Sequence, residues 1–306
     1  MDFSSLTPLP GGWSGATFLA QAGGARSVVR IYDPGAASSR QGRAHQVDAA
    51  LLHLVRGLVP VPEVLEVVAP DVDLERPALL VTSYVEGVRG DVLWPDLDGG
   101  RRRLLGAGLG DLVAVLGGMP TIRPGPFVDA DLTIGTWRGG AGAGAGADGL
   151  PGWVEQHEPR LAHLDAGELD GLREVAMDAQ AQLDTVTRTC LVHGDLNLTN
   201  LLLDPASLAV TALVDWEFAH AGHPFTDLGN LLRWERDAAY TDAVLDAYVA
   251  RRGGSAAHAV ALARAADLWA LVDLAGRRHD NPVAARADRH LRRIALGRDS
   301  TVSPPD

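Results

Sequence analysis

A chain of 306 residues with a formal charge of −12 and 46% hydrophobic residues has room for one large domain or two lobes, and it is too apolar for a disordered chain. Its acidity argues against non-specific nucleic-acid binding, and no apolar run is long enough to cross a bilayer. Met1 to Pro10 lacks the charged and apolar blocks of a leader, so a cytoplasmic protein is expected. Cys190 is the lone cysteine, which excludes an internal disulfide and a cysteine-rich metal site. All 27 basic residues are arginine; any task usually given to lysine falls to arginine here.

In chain order, Thr17 to Ala20 and Ser27 to Tyr32 read as two strands around a Gly23-Gly24 turn. Val47, Ala50, Leu51, Leu54 and Val55 recur at helical spacing and predict a helix over Gln41 to Val55, stopped by Val59-Pro60-Val61-Pro62. Ala78 to Val85 is an apolar run that predicts a buried strand. Helical texture then takes over, at Arg101 to Leu116 and at Glu168 to Val186. An Ala/Gly tract from Gly139 to Gly149 is expected to be a flexible insertion. Short strands at Leu201 to Leu203 and Val210 to Val214 flank a turn at Asp204-Pro205. Phe225 to Ala250 and Ala256 to Leu296 read as mostly helical. The pattern predicts an α+β chain, with a β-rich lobe over residues 1–86 and a mostly helical lobe over 87–306.

Polar residues of one chemistry collect late in the chain. Leu191-Val192-His193-Gly194-Asp195-Leu196-Asn197-Leu198-Thr199-Asn200 is followed by Leu213-Val214-Asp215-Trp216-Glu217. Phosphoryl transfer needs a carboxylate to receive the acceptor hydroxyl's proton, and an amide oxygen with a second carboxylate to hold magnesium on the phosphates. The spacing from Asp195 to Asn200 equals that of the kinase motif H-R-D-x-x-x-x-N, and Asp215 takes the place of the later metal-binding aspartate.

These residues resemble the aminoglycoside phosphotransferase and choline kinase-like family, whose motifs are H-G-D-x-x-x-x-N and D-[WF]-[DE] and whose members have a bilobal protein kinase-like fold. The resemblance implies that Asp195 is the catalytic base, that Asn200 and Asp215 hold Mg2+, and that His193 braces the loop. It extends to Pro10 to Phe18, which is similar to the phosphate-covering loop and nominates Gly11, Gly12, Ser14 and Gly15 for the nucleotide. Arg30 falls where the family has a cation on the third strand, and Asp48 matches the helix acid that pairs with it. Leu79 to Gly87 is similar to the interlobe hinge, with Ser83 and Val85 presenting main chain to adenine. Such contacts leave ATP and GTP both open. Asp227, in a G-x-P-x-x-D-L segment, is implied to tie the catalytic loop down. For His220 and His223 a loop or packing role is expected over a metal. Leu116-Gly117-Gly118 departs from the Leu-His of many relatives.

The resemblance thus implies an ATP-dependent kinase acting on a hydroxyl of a small polar molecule. The alternatives are a non-catalytic nucleotide-binding protein of the same fold and a metal-dependent hydrolase built on His193, Asp195 and Asp215. The acid-rich run Glu217, Asp227, Glu235, Asp237 and Asp242 suggests a cationic acceptor, an aminoglycoside-type antibiotic or an amino-sugar or amino-alcohol metabolite. Glu217 and Glu235 are its expected contacts.

Overall fold

The computed structural model describes residues 5–9, 15–33, 40, 42–71, 73–137, 149–235 and 237–305. The elements begin with strands β1 (Ser5–Pro8), β2 (Gly15–Ala22) and β3 (Ala25–Tyr32), then helix α1 (Ala44–Val55). Strands β4 (Val64–Val68), β5 (Ala78–Ser83) and β6 (Val88–Arg89) follow, then helices α2 (Gly90–Leu93) and α3 (Gly99–Leu116). Next come β7 (Pro120–Thr121), β8 (Gly125–Pro126), α4 (Gly149–His157) and α5 (Ala166–Leu183). Strands β9 (Thr189–Val192), β10 (Leu201–Leu203), β11 (Val210–Leu213) and β12 (His220–Gly222) precede the last helices, α6 (Thr226–Leu232), α7 (Ala238–Arg252), α8 (Ala256–Gly276) and α9 (Pro282–Gly297). Among the described residues no helix is long and apolar enough to cross a membrane.

The chain forms two compact units. The first comprises Met1–Pro95, Pro126–Gly135 and Leu198–Glu217, and the second Asp96–Gly125, Thr136–Asn197 and Phe218–Asp306. The first unit therefore holds more than residues 1–86, because the β10–β11 hairpin pairs with β6 and joins it.

In the first unit a five-stranded antiparallel sheet runs β1-β2-β3-β5-β4. The β2–β3 hairpin closes at Gly23 and Gly24, both at positive φ (56° and 84°), as a tight two-residue turn compatible with strand twist requires. Ala20, Val29 and Val81 form a buried cluster on this sheet, with Ile31 and Leu79 against it. Helix α1 starts at Ala44 rather than Gln41, and its buried stripe includes Val47, Leu51 and Val55. Strand β4 was not expected: the Pro60 and Pro62 punctuation masks it, and Val64–Val68 lacks clean polar alternation.

The second unit is a helical pack. Leu150, Trp153, Leu172, Leu271 and Leu291 belong to one buried cluster drawn from α4, α5, α8 and α9. The two long helical stretches each break once. Asp237 caps α7 by accepting from the Tyr240 N–H (3.0 Å), and Asn281 caps α9 by accepting from Ala284 (2.9 Å), with Pro282 at its first position. Helix α3 lies close to α7 because two of its glycines sit one turn apart. A Cβ at Gly106 would stand 2.6 Å from the Tyr240 carbonyl, and one at Gly110 would stand 2.3 Å from that of Val244.

This contact sets two opposing effects against each other. Gly→Ala in a helix gains up to about 1 kcal/mol in propensity, whereas overpacking costs about 1–3 kcal/mol. Gly110→Ala will therefore lower the unfolding free energy. Gly108→Ala, on the exposed face of the same helix with nothing within 4 Å, will raise it. Urea unfolding of both variants tests this, and stabilisation by Gly110→Ala would refute the close packing.

Candidate active site

Strand β3 presents its residues alternately, and Arg30, registered against Thr17 and Leu80, points its guanidinium to the acids that follow β11. Its Nη1 donates to Asp215 Oδ1 (2.8 Å) and its Nη2 to Glu217. Burial works against the Arg30 charge, but Tyr32, Asp215, Asp48 and Glu217 more than offset it and hold the group protonated. Burial together with the neighbouring Asp215 charge pushes the Glu217 carboxyl up to about 7, against the pull of Arg30.

The two expected metal ligands stand at the same end of one hairpin. Leu201 pairs with Leu213, and one step beyond, the Val214 N–H donates to the Asn200 carbonyl (2.9 Å). Asn200 is buried, while Asp215 turns away from the strand at φ 66°. That left-handed backbone is uncommon outside glycine, with aspartate among its more tolerant residues. Trp216, also buried, fixes the turn by donating from Nε1 to the Leu213 carbonyl (3.1 Å). Among the described residues no group of three or more His, Cys, Asp or Glu could hold a metal by itself. One or two carboxylates with an amide oxygen nevertheless suit Mg2+, which takes its remaining oxygens from phosphates and water. Asn200 and Asp215 fit that ion in donor type.

Asp48 departs from expectation. Its carboxylate takes Arg40 as its ion-pair partner and accepts from the Tyr32 hydroxyl (2.7 Å), while the ion pairs of Arg30 go to Asp215 and Glu217. The charge of Asp48 also supports that of Arg30. The physical reason is that a second arginine, Arg40, buried beside α1, fills the place on Asp48. At the expected hinge the Ser83 N–H is already engaged by the Glu63 carbonyl (2.8 Å), and β5 ends there, before Val85. Gly15 opens β2 opposite Tyr32; Gly11, Gly12 and Ser14 lie outside the described residues, as does the Ala/Gly tract up to residue 148.

In the second unit, β9 delivers the His193-Gly194-Asp195 turn. The buried Asp227 carboxylate, in the first turn of α6, accepts from the His193 N–H (2.8 Å) and the Gly194 N–H (2.9 Å). Burial pushes this carboxyl up to about 6 despite the two donors. Gly194 has φ 84°, and a Cβ there would meet the Phe218 carbonyl at 2.5 Å, so the turn admits only glycine without a shift. His193, fully buried, accepts the Asp195 N–H on Nδ1 (3.3 Å), a geometry suited to bracing. Asn197 donates from Nδ2 to Asp195 Oδ1 (2.8 Å), a contact that reading the sequence missed because a polar turn residue is common there.

The remaining acids are placed differently from one another. Asp237 is paired with Arg102 (2.9 Å) in addition to capping α7. Asp242 is exposed. Glu235 is half-buried between α6 and α7; burial raises its carboxyl, opposed by Arg102 and Arg286. His220 bonds the Phe218 carbonyl through Nδ1 (2.9 Å) and packs edge-on with Trp137. Burial lowers His223 to about 4, and its Nδ1 accepts from Phe225 (3.4 Å). Both histidines are thus local packing groups.

Replacing Arg30 tests its position. On the expectation that Arg30 meets the nucleotide phosphates, charge-assisted hydrogen bonds of about 1.5–3 kcal/mol predict that Arg30→Ala raises the apparent KM for nucleotide by about 10–100-fold. Arg30→Lys will retain part of the function, since an ammonium lacks the fork that meets two acids. Steady-state kinetics at saturating magnesium decide it; equal KM for the alanine variant and wild type would make Arg30 an ordinary strand residue.

A model of the phosphotransferase enzyme family matches residues 5–268. Among curated proteins, Acyl-CoA dehydrogenase family member 11 of Rattus norvegicus is 27% identical over 233 residues, covering 74% of this chain and 28% of that protein. The Homo sapiens protein of the same name is 33% identical over 91 residues, 30% of this chain and 11% of that protein. The chain thus spans 28% or less of the length of these curated relatives. Among solved structures, the GDP complex of wild-type aminoglycoside 2'-phosphotransferase-IIIa superimposes with a TM-score of 0.68 at 17% identity, covering 97% of this chain and 94% of that one. A thermostable mutant of aminoglycoside phosphotransferase APH(4)-Ia, in ternary complex with AMP-PNP and hygromycin B, gives 0.63 at 18% identity, with 97% and 92% covered. At these identities the likeness is one of fold, and it bears out the α+β, protein kinase-like expectation.

Proposed function

Because the chain belongs to the phosphotransferase enzyme family, we propose that it transfers the γ-phosphoryl group of ATP to a hydroxyl of a small polar molecule. The observation that carries this reading is the meeting of Arg30 with Asp215. A strand cation suited to phosphates lies directly on a carboxylate suited to the phosphates' metal. Asn200 and Asp215 would hold Mg2+, whose charge offsets that developing on the transferred group. Arg30 then orients the phosphates, the Ser83 carbonyl and the Val85 main chain receive the base, and Asp195 takes the acceptor's proton as its oxygen attacks. His193 and Asp227 hold the Asp195 turn in place. Residues 1–86 supply the nucleotide clamp in this scheme, and the helices beyond supply the acceptor site.

The acceptor is proposed to carry an amine or other cationic group. Glu217 is engaged by Arg30, so the acceptor contact is assigned to Glu235, the half-buried acid of the α6–α7 connection. Opposite charges in a partly desolvated site strengthen binding and lose strength as salt screens them. A second reading comes from the relatives' name: a region similar to this chain lies within proteins named as acyl-CoA dehydrogenase family members, which favours a hydroxyl on an acyl thioester.

The experiment is an ADP- and GDP-release assay of the purified protein against aminoglycosides, amino sugars, amino alcohols, neutral sugars and hydroxyacyl thioesters, at low and high ionic strength. Turnover of cationic acceptors that falls with salt is expected. Turnover confined to thioesters would establish the second reading. Nucleotide binding with no turnover of any acceptor would favour the non-catalytic alternative.

A further inference from the structure

We infer that Arg40 is a positioning residue that ties helix α1 to the turn carrying Asp215. The inference rests on the reading of Asp215 as a metal-holding residue. Arg40 is 3% exposed. One guanidinium nitrogen meets Asp48 on α1, and the other donates to the Trp216 main-chain carbonyl (2.9 Å). That carbonyl lies between Asp215 and Glu217, the two acids that grip Arg30.

Burying a guanidinium and a carboxylate costs several kcal/mol each before their attraction is counted, and apolar residues of the same volume often serve stability as well or better. Packing alone therefore does not explain the pair. Its geometry does offer something apolar side chains lack, which is a donor aimed at one peptide of a strained turn. Asp215 holds φ 66°, a conformation that persists only where the surroundings over-determine it. The Asn200 carbonyl holds the turn on one side through Val214, and the Trp216 indole anchors it to Leu213. Arg40 supplies the hold from the α1 side. Tyr32, at the end of β3, donates to the other oxygen of Asp48 and fixes that carboxylate for Arg40.

Two arginines thus divide a task. Arg30 faces the acids of the reacting end, and Arg40 couples the helix acid to their backbone. The fork of arginine is essential to the second role, since one arm reaches Asp48 and the other Trp216. Lysine can satisfy only one of them.

The test measures Mn2+ binding in the presence of ATP by electron paramagnetic resonance, alongside thermal melting, for wild type, Arg40→Met, Arg40→Met with Asp48→Leu, and Arg40→Lys. The single methionine variant should melt early, because Asp48 keeps a buried charge without the cation of its ion pair. The double variant removes both charges and should recover melting. It should still need about ten-fold more Mn2+ for half-saturation, the scale on which groups behind a metal ligand act, with metal-free ATP affinity within two-fold of wild type. Arg40→Lys should melt near wild type, keep Asp48 paired, and show a several-fold rise in the Mn2+ requirement. Wild-type Mn2+ binding by either well-folded variant would overturn the inference and leave the metal reading standing. Failure of wild type itself to bind Mn2+ with ATP would remove the metal reading, and the inference with it.

Discussion

Asp195→Asn will lower phosphoryl transfer by about 10²–10⁴-fold, the usual contribution of a general base, while nucleotide affinity stays within a few fold. Asparagine keeps the shape of the side chain. Its amide oxygen can still accept the Asn197 Nδ2 bond that holds Asp195 Oδ1 at 2.8 Å, and the backbone bond from residue 195 to His193 Nδ1 is untouched. What is lost is the capacity to take a proton. The decisive measurements are single-turnover rates with a responsive acceptor and nucleotide binding by calorimetry. Turnover near wild type would eliminate Asp195 as the base. A loss of rate matched by an equal loss of nucleotide affinity would instead make it a binding residue.

The parts legible in the sequence were those whose pattern is local. The hairpin from Leu201 to Val214 announced itself through two apolar runs around Asp204-Pro205, and its register explains why Asn200 and Asp215, fifteen residues apart, end together. Asp227 was legible as a brace through the resemblance of its G-x-P-x-x-D-L segment to the family's, and an acid in the first turn of a helix is also favoured there. The partner of Asp48 was not legible. Arg30 and Arg40 are both arginines upstream of α1, and no spacing rule says which guanidinium a helix acid will take. That choice follows from the acids after β11, which attract Arg30 first. The glycines of α3 were equally silent. In a chain with 35 glycines, Gly106 and Gly110 look like composition until the Tyr240 and Val244 carbonyls are found where their Cβ atoms would be.

Asp227→Asn will separate the bracing of the catalytic turn from its chemistry. Each carboxylate oxygen accepts one backbone N–H, from His193 (2.8 Å) and from Gly194 (2.9 Å). An asparagine can offer its oxygen to one of them, and must turn its NH2 donors towards the other. A buried N–H left without an acceptor costs about 1–3 kcal/mol, so the variant should lose stability by that amount at neutral pH. The turn cannot easily relax, because Gly194 already occupies a left-handed conformation against Phe218. A shift of about 1 Å at Asp195 is worth about 10² in rate, so turnover should fall by that order with nucleotide affinity retained. The pH dependence has a definite sign. Burial pushes the native carboxyl up to about 6 from 3.8, so between those values the folded protein holds a proton that the unfolded chain has released. Wild type therefore gains stability relative to the asparagine variant as pH falls through 6 towards 3.8, and the difference is level above 6. Urea unfolding of both proteins at pH 7.5 and pH 5, with kinetics at pH 7.5, provides the test. A stability difference that does not change between the two pH values, together with unaltered turnover, would mean that Asp227 neither titrates as a buried acid nor holds the turn.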